Sequence, residues 1–225
     1  MSILEYDWEH IYGEFVYAIL AGIMIGIGGC ALLSISIPVV GSVFFAFGLM
    51  TIIAFKFKLY TGLIGYYHDK GNDTMMSYVI LGNLIGTAFV GLVVSQFLPD
   101  LSGKATALVM KKADMILNID YMKAITMGFM CGMLMQVAVA VWKHEEIMTD
   151  FQRSFITILA VSIFILSGFE HSIADMFYLF AAKTDLPVIN QVYFIIFVIF
   201  GNGLGGLFLH NAYKLKKIIK IKLDQ

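Results

Sequence analysis

A glutamate, a histidine and an aspartate lie within one otherwise apolar stretch of this 225-residue chain. They are Glu170, His171 and Asp175, in the string SGFEHSIADMF at residues 167–177. Ionisable side chains at bilayer depth are costly, and they usually face the interior of a helix bundle or a water-filled path. Histidine is also the side chain whose charge changes near neutral pH. We therefore take this stretch as the candidate functional centre, able to hydrogen-bond a solute or to relay a proton.

The composition places these residues in a membrane. The chain is 60% hydrophobic and only 14% charged, whereas soluble domains are roughly 25% charged. Its net charge of −1 gives no basic surface for nucleic acid, and its length predicts a single domain over residues 1–225. Cys30 and Cys131 lie in apolar runs without a CxxC pair, so we expect them to pack rather than to bind metal. The acidic residues 1–10 lack the basic leader of a signal peptide, so the first apolar segment is expected to be retained.

The apolar runs predict six membrane-spanning segments, because a span needs about 20 residues. The predicted spans are approximately residues 13–37, 41–55, 74–99, 124–142, 154–182 and 186–213. Residues 100–123 are expected to form an exposed connection. The second segment does not end cleanly at residue 55, because an apolar run resumes at 63–67 after Lys56 and Lys58, and residues 168–175 interrupt the fifth segment. Irregular backbone at membrane depth is tolerated only where protein buries it or where it lines a cavity. Both interruptions are therefore candidates for function.

An internal repeat relates residues of about 13–98 to residues of about 121–213. Each half contains a helix, an interrupted helix and a helix with Gly-Asn-x-x-Gly, in which the asparagine is Asn83 or Asn202. Three spans per unit invert the second copy, and paired interrupted helices of this kind place a substrate site near the midplane, where helix N-termini favour an anion. The lysines of the basic tail at 214–225 predict that both termini are cytoplasmic.

Four motifs in this order resemble the formate/nitrite transporter family: LYTG at 59–62, GNLIG at 82–86, SGFEHSIA at 167–174 and GNGLGG at 201–206. The resemblance implies an all-α integral membrane fold, with six helices in an inverted 3+3 repeat and an aquaporin-like protomer whose second and fifth helices are broken. It also implies a homopentamer in the cytoplasmic membrane that passes small monovalent anions and protons. Similar proteins carry formate, nitrite or hydrosulfide, and the short termini and the LYTG form are similar to clostridial hydrosulfide channels. We expect no enzyme activity, cofactor or metal.

The resemblance also implies a role for individual residues. His171 matches the central pore histidine, which acts as a proton donor or relay, and Thr61 matches the threonine that faces it. The residues matched to two apolar constrictions are Leu49, Leu59 and Tyr60 for one and Phe45 and Phe164 for the other. An anion that enters a low-dielectric passage loses hydration at a cost of several kcal/mol or more, which a hydroxyl and a proton donor between the constrictions can lower.

Two positions depart from the family pattern. Leu134 stands where an asparagine is common, so the amide that would hold Glu170 or His171 is either missing or supplied by Gln136. Glu170 itself is expected to accept hydrogen bonds from the broken backbone rather than to act as a pore acid.

The second departure is Asp175, which also replaces an asparagine. An unpaired aspartate near the pore would repel anions, so one hypothesis is that Lys56 or Lys58 neutralises Asp175. The alternative is that both lysines extend to a water interface and that Asp175 caps its half-helix.

Three other classes of function remain open at this point. A membrane enzyme would need a nucleophile with a base or a metal cluster, and His210 is the only other intramembrane histidine that could join His171 in haem ligation. An aquaporin-like pore for neutral small solutes is compatible with broken helices, although the chain lacks NPA motifs. A purely structural scaffold would leave the Glu170–His171 pair unexplained.

Overall fold

The structure, a computed structural model, describes residues 8–69, 74–143 and 148–223, and their side chains between residues 11 and 215. The acidic N-terminus at 1–7, Lys70 and the loop at 144–147 lie outside the described residues. The side chains of the tail lysines beyond residue 215 lie outside them as well.

Within these ranges the chain forms ten α-helices and one 3-10 turn. They are α1 (Trp8–Ser34), α2 (Pro38–Ala54), α3 (Tyr60–Leu63), the 3-10 turn (Ile64–Tyr66), α4 (Met76–Phe97), α5 (Pro99–Met110), α6 (Ala113–Leu117), α7 (Tyr121–Lys143), α8 (Asp150–Leu166), α9 (Ser172–Ala181) and α10 (Val188–Leu223). By length and composition four helices could cross a membrane, namely α1 from Ile11, α4, α7 and α10 up to Leu215. The helices α2 and α9 are apolar but shorter.

Helices α2 and α8 end in the same way. Each closes with a Schellman motif, in which the N–H groups of the two residues after the C-cap return to carbonyls of the last turn. After α2 these residues are Lys56 and Phe57, and after α8 they are Gly168 and Phe169. The residue at the turn has a positive φ in both cases, 56° at Lys56 and 70° at Gly168. The left-handed backbone that stops each helix is natural for glycine and strained for lysine.

The helices pack as two long pairs joined by crossed short helices. Helix α1 packs on α4 and α7 packs on α10, while α2 contacts α8. The short α9 lies against α4 and α1, whereas α3 and the 3-10 turn lie against α10 and α7. Each short segment therefore packs on the opposite half of the chain, and this crossing brings the two interruptions together.

The glycines of the two Gly-Asn-x-x-Gly motifs allow the long helices to approach closely. A Cβ atom on Gly86 would lie 2.1 Å from the carbonyl oxygen of Ile19 in α1. A Cβ atom on Gly205 would lie 2.1 Å from the carbonyl oxygen of Phe129 in α7. Backbone cannot move aside as a flexible side chain can, so both positions require glycine.

The prediction that residues 100–123 form an exposed connection is wrong. They contain α5 and α6, and α5 packs on α9. Ser102, Ala105 and Val109 form the buried face of α5, and the hydroxyl of Ser102 donates to the carbonyl of Ala181 at 2.8 Å. The connection covers the end of α9 because its apolar residues recur at helical spacing, which the high lysine and aspartate content of the segment conceals.

Replacement of Gly205 by alanine tests the close contact of α10 with α7. We expect Gly205→Ala to destabilise the protein by about 1–3 kcal/mol, because the added methyl group meets backbone. Gly103→Ala is the matched control, since nothing lies within 4 Å of that added Cβ and alanine is favoured over glycine in a helix by about 0.5–1 kcal/mol. Thermal unfolding in detergent should show a lower midpoint for the first variant only. Equal midpoints would contradict the packing argument.

Candidate functional site

His171 is the N-cap of α9, and its two ring nitrogens have different partners. Nδ1 accepts a hydrogen bond from the backbone N–H of Ala174 at 3.1 Å. A nitrogen that accepts carries no proton, so the imidazole is neutral and its hydrogen is on Nε2. Nε2 lies 3.0 Å from Oγ1 of Thr61, to which it donates. Both side chains are buried, and the structure therefore brings the predicted threonine and histidine into contact.

Asn202 of α10 holds the backbone on both sides of the histidine. Its Nδ2 donates to the carbonyl of Glu170 and to that of Gly128, both at 2.8 Å. Its Oδ1 accepts the N–H of Ser172 at 2.9 Å. One buried carboxamide thus satisfies a carbonyl and an N–H that the interruption leaves without helical partners.

Asn83 of α4 makes the same three bonds in the first interruption. Its Nδ2 donates to the carbonyls of Ala18 and Lys58 at 2.8 Å, and its Oδ1 accepts the N–H of Tyr60 at 3.0 Å. Leu59, between the two bonded residues, is the N-cap of α3 and has no side-chain cap bond. Leu59 therefore occupies the position that the histidine occupies in the second interruption, with an apolar side chain instead of a polar one.

Aromatic rings adjoin the histidine on one side. Phe164 stacks on His171 with ring centroids 5.5 Å apart, and Phe45 meets Phe164 edge to face at 6.0 Å. All three side chains are at most 3% exposed. The structure thus groups the two phenylalanines that the sequence assigned to one constriction.

The other predicted constriction residues, Leu49, Leu59 and Tyr60, are also buried. The hydroxyl of Tyr60 donates to the carbonyl of Ile199 in α10 at 3.0 Å. Its polar end is therefore directed into the packing between α3 and α10.

Two cavities adjoin the segments that carry Thr61 and His171. One of about 320 Å³ is lined by Leu59, Gly62 and three lysines, Lys56, Lys58 and Lys143, among other residues. Another of about 100 Å³ is lined by the histidine, Phe164, Lys112, Glu170 and Asp175, among others. Neighbours of Thr61 in the sequence thus line the first cavity and the histidine lines the second.

Asp175 pairs with Lys112, so the hypothesis that Lys56 or Lys58 neutralises it is wrong. The ammonium of Lys112 forms ion pairs with both Asp175 and Glu170. It can do so because α5 packs on α9 and ends next to these carboxylates. The alternative that Asp175 caps α9 is also wrong, because the N-cap is the histidine.

The two lysines of the first interruption lie elsewhere. Lys58 forms an ion pair with Glu14 of α1 at 2.8 Å. Lys56 lines the larger cavity. The position of these lysines next to an interruption in the sequence did not indicate that they would lie away from Asp175.

Gln136 does not supply the amide that the family pattern led us to consider. Its Nε2 lies 3.4 Å from Nδ1 of His210, and Glu170 is held by Lys112 instead. Leu134 packs against the hydrophobic core.

Sequence reasoning missed Lys112, although a weak signal for it exists. Ser102, Ala105, Val109 and Lys112 follow one another at spacings of three, four and three residues, which is one face of a helix. The first three are buried on α5, and the lysine follows in the turn just beyond the end of α5, as the N-cap of α6. A lysine in phase with a buried face indicates a partner in the interior.

A second polar cluster ties the chain after the 3-10 turn to α10. Asp69 is 3.0 Å from Nε2 of His210 and forms an ion pair with Lys214. Burial alone would raise the pKa of Asp69, but the hydrogen bonds from Lys214 and His210 outweigh burial and lower that pKa below its ordinary value. Since His210 is engaged by Asp69 and Gln136, it is not positioned to share a haem with the capping histidine.

Comparisons with known proteins agree with this architecture. The family model described as formate/nitrite transporter matches residues 9–215. The formate channel FocA of Haemophilus influenzae is 27% identical over 148 residues, which are 61% of this chain and 51% of that protein. FocA of Escherichia coli K12 is 28% identical over 189 residues, which are 75% of this chain and 66% of that protein. The matched part of the chain thus spans about half to two thirds of the length of these curated relatives.

Two solved structures have the same fold. A pentameric formate channel with formate bound superposes with a TM-score of 0.77 at 25% identity, over 94% of this chain and 99% of that one. An FNT family ion channel superposes with a TM-score of 0.71 at 20% identity, over 91% of this chain and 90% of that one.

Replacement of Asn202 by alanine tests the backbone clamp around the histidine. It removes the partners of the Glu170 carbonyl and the Ser172 N–H, and each buried group left unsatisfied costs about 1–3 kcal/mol. We expect Asn202→Ala to unfold in detergent at a clearly lower temperature than the native protein. Asn118→Ala, which removes only an exposed bond to Asp114, should change the midpoint little. A similar shift in both variants would argue against the clamp.

Proposed function

Because the chain belongs to the formate/nitrite transporter family, we propose that it conducts small monovalent anions, formate foremost, across the cytoplasmic membrane. The observation that carries the proposal is the buried Thr61–His171 contact, with one cavity lined by sequence neighbours of Thr61 and another lined by His171. The homologues of this chain are formate channels rather than enzymes. A solved relative is a pentameric formate channel, which supports a homopentamer in which each protomer has its own pore. Nitrite and hydrosulfide are further candidate substrates.

The proposed topology is six spans in an inverted 3+3 repeat, with the second and fifth spans broken. Four long helices support four of these spans. The remaining two would be α2 followed by α3, and α8 followed by α9. The repeated Schellman motifs and the repeated asparagine clamps support an equivalence between the two halves. The lysine distribution supports cytoplasmic termini.

The polar centre has donors for an anion. The N–H of His171 donates to the hydroxyl of Thr61. A passing anion can accept hydrogen bonds from the N–H of His171 and from the O–H of Thr61. Buried polar groups without partners are costly, so the bond to Thr61 satisfies the N–H of His171 until an anion replaces it.

The geometry favours neutral hydrogen-bond donation by His171 over the proton relay that the sequence predicts. A relay requires the imidazolium form, in which both ring nitrogens carry protons. Nδ1 could be protonated only if the bond from the N–H of Ala174 were broken, which would remove the N-cap of α9. The capping role therefore opposes the charged state.

A flux panel in proteoliposomes tests the proposed function. We expect formate, nitrite and hydrosulfide to move at rates well above those in empty liposomes. Acetate and chloride serve as a larger organic anion and a non-basic anion for comparison. Glycerol-driven swelling measures the aquaporin-like alternative in the same vesicles. Swelling without any anion flux would overturn the proposal in favour of a neutral-solute pore.

Replacement of His171 by asparagine separates hydrogen-bond donation from proton relay. Asparagine keeps an acceptor suited to an N-cap and an N–H donor, but it cannot carry a proton near neutral pH. We expect His171→Asn to retain a substantial part of formate flux, whereas His171→Phe, which lacks both groups, should lose it. Pentamer assembly is the control for both variants. Loss of flux in His171→Asn equal to that in His171→Phe would favour the relay.

A further inference from the structure

Two carboxylates share one ammonium group next to the smaller cavity. Oε2 of Glu170 and Oδ1 of Asp175 both contact Nζ of Lys112. The carboxylate side chains are 5% and 4% exposed, and the lysine side chain is 19% exposed. If both acids were ionised, the cluster would carry a net charge of −1 in the protein interior.

The neighbouring titratable groups supply no second positive charge. Those that interact with the cluster in the described part of the chain are Cys131 of α7, Tyr178 of α9 and His171, and Cys30 of α1 in turn adjoins Tyr178. Thiols and phenols are neutral in their ordinary forms at pH 7. The imidazole is neutral because its Nδ1 accepts a hydrogen bond. The aromatic ring of Phe194, 5.9 Å from the ammonium, adds an apolar neighbour from α10.

One lysine can compensate one buried carboxylate but not two. Charge buried without a partner is expensive, and two carboxylates at one site do not readily ionise together. We propose that Glu170 and Asp175 share one proton above Lys112, forming a proton-binding site whose occupancy sets the charge that faces an anion in the smaller cavity. The effect of this site on anion access rests on the proposed function. The existence of the proton site does not.

The site makes anion access depend on pH in a defined direction. With the shared proton bound, one carboxylate offsets the lysine and the cluster is neutral. Without it, the cluster is negative and lines a cavity of about 100 Å³ together with the histidine. A negative charge at such short range repels a monovalent anion strongly where water is scarce. Formate flux therefore falls as pH rises and the proton is lost.

Infrared spectroscopy of the purified protein tests the proton site directly. We expect an absorption band of a protonated carboxyl group at pH 7 in the native protein. Because the proton is shared, both Asp175→Asn and Glu170→Gln should abolish the band, since each leaves a single carboxylate paired with Lys112. Asp100→Asn, which removes an exposed carboxylate of α5, should retain it. The inference is overturned if the native band is absent, or if only one of the two variants loses it, which indicates an isolated buried acid.

Formate flux in proteoliposomes tests the consequence. Between pH 6 and pH 8, the factor by which formate flux falls should be about ten times larger for the native protein than for Asp175→Asn, whose cluster stays neutral. Asp100→Asn should follow the native profile. Parallel pH profiles for native protein and Asp175→Asn would overturn the role of the site in anion access. Absence of formate flux from native protein at every pH would instead refute the proposed function, and the infrared band would still decide whether the proton is shared.

Discussion

The structure depends on satisfying backbone hydrogen bonds where two helices stop inside apolar surroundings. No water is at hand there to replace the lost helical partners. Asn83 and Asn202 solve the same problem twice, each with two donated bonds and one accepted bond across an interruption. An asparagine carboxamide is suited to this task because it has two donors and an acceptor on one short, rigid group. The glycines beside the asparagines bring the long helices close enough to complete the arrangement.

This solution constrains the chemistry of the histidine. His171 uses Nδ1 to cap α9 and Nε2 to contact Thr61. One nitrogen therefore serves the fold and the other is available to a solute. A side chain divided in this way is well placed to donate a hydrogen bond repeatedly, whereas taking up a second proton would disturb the helix that positions it. The stacked ring of Phe164 further restricts the orientation of the imidazole.

The sequence predicted the elements that repeat, but it could not predict the contacts that depend on tertiary packing. The interruptions, the paired asparagines and the contact between Thr61 and His171 follow from motifs that occur in order along the chain. Lys112 was missed because its segment is rich in charge, and only the packing of α5 on α9 shows that this lysine turns inward. The predicted pairing of Asp175 with Lys56 or Lys58 was wrong for the same reason. A position next to an interruption in the sequence does not show which side chains a residue will meet in the fold.

The equivalent positions of the two interruptions carry different side chains. The two ends of the proposed pathway are therefore not equivalent. The carbonyls of Lys58 and Glu170 receive the same bond from an asparagine, yet one residue is basic and the other acidic. Each has its own counterion, Glu14 for the lysine and Lys112 for the glutamate. The next position is Leu59 in one half and His171 in the other. A repeated backbone thus presents a lysine-lined cavity on one side and a carboxylate-lined cavity on the other. Because the backbone is alike in both halves, the side chains at these positions would determine how the proposed anion pathway differs between its two ends.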